Sequence, residues 1–135
     1  MSETSYIDKL AWIYIQNRQV LFTRSKGKKT YYIPGGKREN GETDQEALRR
    51  EIYEELNVRI LPDSLQYIGL FEAQAHGKRP GTMVRMTCYF ADYQGELKPS
   101  SEIEEICWLK HSDRDKSSPV DVLILDWLKQ EDLID

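Results

Sequence analysis

Residues 36–58 read GKRENGETDQEALRREIYEELNV, and their pattern decides how the rest of the chain is understood. A glycine-rich loop runs into an amphipathic helix, with Asp44 or Thr43 available as the N-cap and apolar Ala47, Leu48, Ile52 and Leu56 recurring at helical spacing. Glu51, Glu54 and Glu55 fall at i, i+3 and i+4, so the helix gathers three carboxylates on one side, next to the stripe of Leu48, Ile52 and Leu56. Like charges at these spacings repel by roughly 0.2–0.5 kcal/mol per pair on a solvated helix. A cation held between them gives the arrangement a purpose.

An acidic run on a helix is ordinarily a solvated face, so the surrounding residues carry the argument. Gly36, Glu42 after five residues, and Arg50-Glu51-Ile52-Tyr53-Glu54-Glu55-Leu56-Asn57-Val58 after seven more resemble the box of the Nudix hydrolase family (MutT-like), G-x5-E-x7-R-E-U-x-E-E-x-G-U with U aliphatic. One position departs. Asn57 stands where the family has glycine, at the left-handed residue that ends the helix, and asparagine is the next most tolerant residue there.

The chain has 135 residues, enough for one domain with a core and too few for two of ordinary size, so residues 1–135 are expected to form a single unit. Its 19 basic and 23 acidic residues give a net charge of −4, without the excess of positive charge that a polymeric nucleic acid would demand. No apolar run approaches membrane-spanning length and the N-terminus has no leader pattern, so the expected location is the cytoplasm. Cys88 and Cys107 sit alone in apolar, strand-like surroundings and read as core. His76 and His111 are isolated in polar stretches; His76, in a loop, is kept as a weak candidate for substrate contact.

Along the chain, Leu10 to Ile15 and Val20 to Thr23 read as an antiparallel hairpin turning at Gln16–Gln19. A basic loop, Arg24 to Lys29, then leads to Pro34-Gly35-Gly36, where the backbone can pass close to a ligand and offer a carbonyl oxygen. After the helix, residues 59–65 read as a turn, 65–73 as a strand, and 74–82 as a loop rimming the site. Met83 to Tyr93 alternates with Val84, Met86, Cys88 and Phe90 on one face and should be central in the sheet. A loop over 97–101 and a short strand, Ile106 to Leu109, follow. Ser118 and Pro119 start a terminal helix whose stripe is Val120, Leu123, Ile124, Trp127 and Leu128. This order predicts an α/β fold, a mixed sheet between helices, which is also the α/β/α sandwich that the Nudix resemblance implies.

The resemblance further implies metal-dependent hydrolysis of a nucleoside diphosphate linked to another moiety. Glu51, Glu54 and Glu55, with the carbonyl of Gly36, carry over as ligands of Mg2+ or Mn2+, ions that keep several waters and favour phosphate oxygens. Arg50 is expected to orient the carboxylates and Glu42 to support them. The general base is either a box glutamate or one from the loop before the last strand, where Glu102 is preferred over Glu104 and Glu105. Arg24 and Lys37 are candidate phosphate ligands, and Tyr32, Tyr31 and Phe71 could stack on a base. The substrate expected is a small nucleotide, by elimination a (deoxy)nucleoside triphosphate cut to monophosphate and pyrophosphate. ADP-ribose, nucleotide sugars, dinucleoside polyphosphates and coenzyme A are the alternatives, and a nucleotide sensor without catalysis is the competing class. The residues show no dimer interface, and a homodimer is left open.

Overall fold

The computed structural model describes residues 5–75 and 77–135; His76, the weak candidate for substrate contact, lies outside them. The first strand, Ser5–Ile13 (β1), is followed by a short hairpin of Ile15–Gln16 (β2) and Gln19–Ser25 (β3). The expected hairpin is present, with Gln16 paired to Gln19 and Asn17 and Arg18 both at positive φ, 53° and 60°. Its first strand, however, is divided at Tyr14. β1 leaves the hairpin to pair elsewhere, and it starts earlier than the apolar run suggested.

The remaining elements are Gly35–Gly36 (β4), Asp44–Leu56 (α1), Arg59–Ile60 (β5), Gln66–Gln74 (β6), Thr82–Phe90 (β7), Tyr93–Gln94 (β8), Ile103–Leu109 (β9) and Pro119–Gln130 (α2). A four-stranded mixed sheet has the order β4-β1-β7-β6, with β1 parallel to β7 and the other pairs antiparallel. β7 is therefore interior, as its alternation predicts. The order β2-β3-β9 makes a second sheet, antiparallel throughout, and β5 with β8 a third. β9 begins at Ile103, earlier than expected, so Glu104 and Glu105 belong to a strand and not to the loop before it.

Period-two alternation divides the core between two helices. Leu10, Trp12 and Leu21 pack with Ala47, Leu48, Ile52 and Leu56 of α1; Ala11, Ile13, Val20 and Phe22 face Val120, Ile124, Leu125 and Leu128 of α2. Strands with both faces buried between helices make the predicted mixed α/β arrangement. In α2 the predicted stripe is rotated: Leu123 is exposed, while Leu125 and Asp121 are buried in its stead. Ser118 is the N-cap residue and Pro119 the first helical one, as the sequence suggests, but the Ser118 hydroxyl donates to Asp121 and does not cap the helix. No helix among the described residues is long and apolar enough to cross a membrane.

Candidate active site

The site begins with two glycines. Gly35 has φ 150°, and a Cβ built there would stand 1.9 Å from the Leu10 carbonyl oxygen; one on Gly36 would stand 2.4 Å from the Glu51 carboxyl. Only a chain without side chains at both positions can lie between β1 and α1. In return the Gly35 N–H donates to Glu55 Oε1 at 3.2 Å, so the loop that precedes the helix is fastened to the helix's own carboxylates.

α1 supplies those carboxylates at a fixed height. Thr43 is its N-cap, with Glu46 N–H donating to the Thr43 hydroxyl and Thr43 N–H donating to the Glu46 carboxylate. Asn57 ends it at φ 61°, in the left-handed conformation expected at the one departure from the box. Between the ends, Ala47, Leu48, Ile52 and Leu56 are fully buried, which leaves Glu51 and Glu55 on the flank that opens into a cavity of about 510 Å³.

Glu51, Glu55, Gly36, Lys37, Tyr32 and Glu102 all line this cavity. Burial pushes Glu55 up to about 8, with the charges of Glu51 and Glu102 adding to the shift and the Gly35 N–H opposing it. Burial likewise raises Glu51 from its ordinary value against the opposing pull of Arg50. Glu54 stands apart. Its side chain is 53% exposed, 3.5 Å from Arg50 and outside the cavity lining. Among the described residues no group of three or more His, Cys, Asp or Glu is arranged to hold a metal ion.

Arg50 is the hub beneath the carboxylates. It donates to both oxygens of Glu42 at 2.8 and 2.9 Å, to Glu51 at 3.0 Å and to the carbonyl of Lys37 at 3.0 Å. Glu42 also accepts from the Glu39 N–H, and these bonds, Arg50's foremost, hold its carboxyl at about 2. One guanidinium thus ties the loop after Gly36, the start of α1 and a cavity carboxylate together.

Strand alternation separates the other candidates. Thr23 and Ser25 line the cavity whereas Arg24, between them, does not: it donates to Glu105 at 2.8 Å and to the Lys28 carbonyl at 3.0 Å. Tyr31 also gives its hydroxyl to Glu105, and Phe71 packs edge-on to Trp127; neither lines the cavity. Glu102 reaches the cavity from the turn before β9, its carboxylate accepting from the Ser101 hydroxyl at 2.8 Å. His111 contacts Asp126 at 2.7 Å on the surface. Lys9, Lys78 and Gln74 also line the cavity, and Asp121 lies buried behind Ile33 and Ser118 of its wall. Gln74 and Lys78 belong to the 74–82 stretch expected to rim the site, whereas Lys9 and Asp121, each of which interrupts an apolar pattern, were not among the expected site residues.

A family model for the NUDIX domain matches residues 9–128. The chain belongs to the NUDIX family. As a Nudix protein it is a pyrophosphohydrolase, and its box lies where the geometry places the two cavity glutamates. Solved structures of similar fold include the E. coli ORF135 protein, at 20% identity with 95% of this chain and 94% of that one covered and a TM-score of 0.72. The MutT protein from Methanosarcina mazei Go1 is similar at 17% identity, 98% and 99% coverage and a TM-score of 0.75. A UDP-X diphosphatase is similar at 14% identity, 98% and 66% coverage and a TM-score of 0.70. These identities speak for the fold alone. No curated protein matches the sequence.

Two carboxylates, Glu51 and Glu55, line the cavity as donors for the divalent ion with which Nudix hydrolases work, while Glu54 stands outside it. Glu51 and Glu55 present hard oxygen atoms, burial raises both carboxyls in a way that a cation would relieve, and the bare Cα of Gly36 leaves room for the Glu51 carboxyl.

Proposed function

We propose that residues 1–135 form one hydrolase domain that cleaves a (deoxy)nucleoside triphosphate to the monophosphate and pyrophosphate with Mg2+ or Mn2+. The observation that carries this reading is one cavity lined by Glu51, Glu55, Lys37 and Glu102, its glutamates fastened by Arg50 and the Gly35 amide. Glu51, Glu55 and, after a change of side-chain rotamer, Glu54 would hold the ion, together with the Gly36 carbonyl. When bound, the ion supplies positive charge to the diphosphate and lowers the pKa of a water.

The chain's own residues do the rest. Arg50 opposes the burial that raises the Glu51 carboxyl and orients it, while its bonds to Glu42 fix the guanidinium itself. Glu102 would take the proton of the attacking water, and Lys37, next to Gly36, would balance charge on the departing pyrophosphate or monophosphate. Tyr32 offers a ring to the base. Arg24, committed to Glu105, is assigned a structural part.

A partly buried carboxylate pair costs stability when empty, and this favours an enzyme over a sensor that has no use for metal. The test is a hydrolysis screen with Mg2+ and Mn2+ over nucleoside triphosphates, ADP-ribose, nucleotide sugars, dinucleoside polyphosphates and coenzyme A, with products separated by chromatography. Release of pyrophosphate and a monophosphate from triphosphates upholds the proposal. Preferential cleavage of a nucleotide sugar, or of another of the alternatives the sequence leaves open, would replace it.

A further inference from the structure

Among the described residues, five besides glycine hold a positive φ. Four mark a hairpin or the end of a helix: Asn17 and Arg18 turn the β2–β3 hairpin, Asn57 ends α1 and Asp132 follows α2. The fifth is Ser101, at φ 55°. It is the second residue of a turn before β9 that the Ile103 N–H closes on the Ser100 carbonyl at 3.0 Å, a position that glycine fills without strain. The loop is pinned on both sides of it. Upstream, the Lys98 N–H donates to the carbonyl of Leu56 at 3.0 Å and the Ser100 N–H to that of Glu55 at 2.9 Å, carbonyls at the end of α1 where the helix supplies no donor of its own. Downstream, the carbonyl of Glu102 accepts from the Lys26 N–H at 2.8 Å. The loop is therefore bonded to the backbone of Glu55 itself, and Glu102 lines the cavity that Glu51 and Glu55 line. Its Oε2 accepts from the Ser101 hydroxyl at 2.8 Å.

A serine held in the left-handed region, where glycine would be at ease, directs attention to what its side chain does. We propose that Ser101 is a positioning residue for the hydrolysis: its hydroxyl, donated to Oε2, holds the Glu102 carboxylate in the cavity and leaves Oε1 to take the proton of the attacking water. The inference rests on the reading of Glu102 as general base given above. The backbone bonds set where the Glu102 side chain starts, and Ser101 removes rotamer freedom that remains to it. A base that swings through solvent meets the water in only some of its rotamers, whereas one held in place is ready for it. Glycine at this position would relax the backbone and lose the hydroxyl, so stability and turnover should move in opposite directions.

The experiment compares Ser101→Gly, Ser101→Ala, Glu102→Gln and the Ser101→Gly/Glu102→Gln double variant with the wild type. It reads Tm, kcat and KM on a nucleoside triphosphate with Mg2+, and the three-bond couplings of the Glu102 side chain by NMR. Ser101→Gly is expected to melt at or above the wild-type temperature while kcat falls by about tenfold and KM changes about threefold at most. Its Glu102 couplings should be averaged, where those of the wild type report one rotamer. Ser101→Ala, which keeps the strain and loses the hydroxyl, should lose the same kcat without the gain in Tm. The double variant should be no slower than Glu102→Gln, because Ser101 acts through Glu102. A wild-type kcat in Ser101→Gly overturns the proposal, and so does a loss of kcat that Ser101→Gly still imposes in the Glu102→Gln background. If Glu102→Gln hydrolyses as fast as the wild type, the base assignment fails by itself, and if the wild type hydrolyses no triphosphate, the proposed function does. In either case Ser101 is judged on the couplings, and equal couplings in wild type and Ser101→Gly overturn its role.

Discussion

At the scale of single residues, the cavity is shaped by what Gly36 lacks. A methyl group there would meet the Glu51 carboxyl at 2.4 Å, so Gly36→Ala should lower kcat by about 100-fold through displacement of that carboxylate, while a thermal melt shows the fold retained. Glu54→Gln and Glu55→Gln should each cost about 100-fold or more in turnover; a folded variant with wild-type hydrolysis would remove that residue from the site. Glu55 also fixes a pH dependence. Its folded value of about 8 lies above its ordinary 4.5, so through that window the folded protein keeps a proton that the unfolded chain has released. The stability this contributes is complete below about 4.5 and is lost as pH rises toward 8. Asp121, raised by burial from 3.8 to about 7, acts in the same direction. The Tm of metal-free protein should therefore fall over this range, and Glu55→Gln and Asp121→Asn should each flatten part of the slope.

At the scale of elements, α1 owes its placement to its ends as much as to its buried stripe. The Thr43 and Glu46 capping box satisfies two free backbone donors, and Thr43→Ala should cost about 1 kcal/mol in denaturant unfolding. Asn57 holds φ 61°, where glycine is under no strain, so Asn57→Gly should be at least as stable as the wild type and equally active; Asn57→Ala should lose about 1 kcal/mol. The box was legible to this level because caps, spacing and stripe are all local. α2 was less so. Its apolar residues fit more than one helical face, and contact with the strands, which sequence spacing does not report, puts Leu125 inside and Leu123 outside.

At the scale of the molecule, Trp12 joins the parts. Fully buried, it donates its indole N–H to the Ala91 carbonyl at 2.9 Å and meets Tyr93 edge-on, in the core that α1 closes. Trp12→Phe removes volume and leaves that carbonyl without its donor, so a loss of about 2–4 kcal/mol is expected from chemical denaturation, with the remaining activity per folded molecule close to wild type.

The sequence by itself determined the family of the box, the helix that carries it, the interior place of β7 and the α/β class, because each follows from local spacing or from alternation along one strand. Only the tertiary structure decided that β1 leaves its hairpin to run parallel to β7, that Arg24 is engaged by Glu105, and that Lys9 and Asp121 flank the cavity that holds Glu51 and Glu55. These depend on which strand lies beside which and on which face each turns inward, and the pairing energy that settles them comes from residues far apart in the chain.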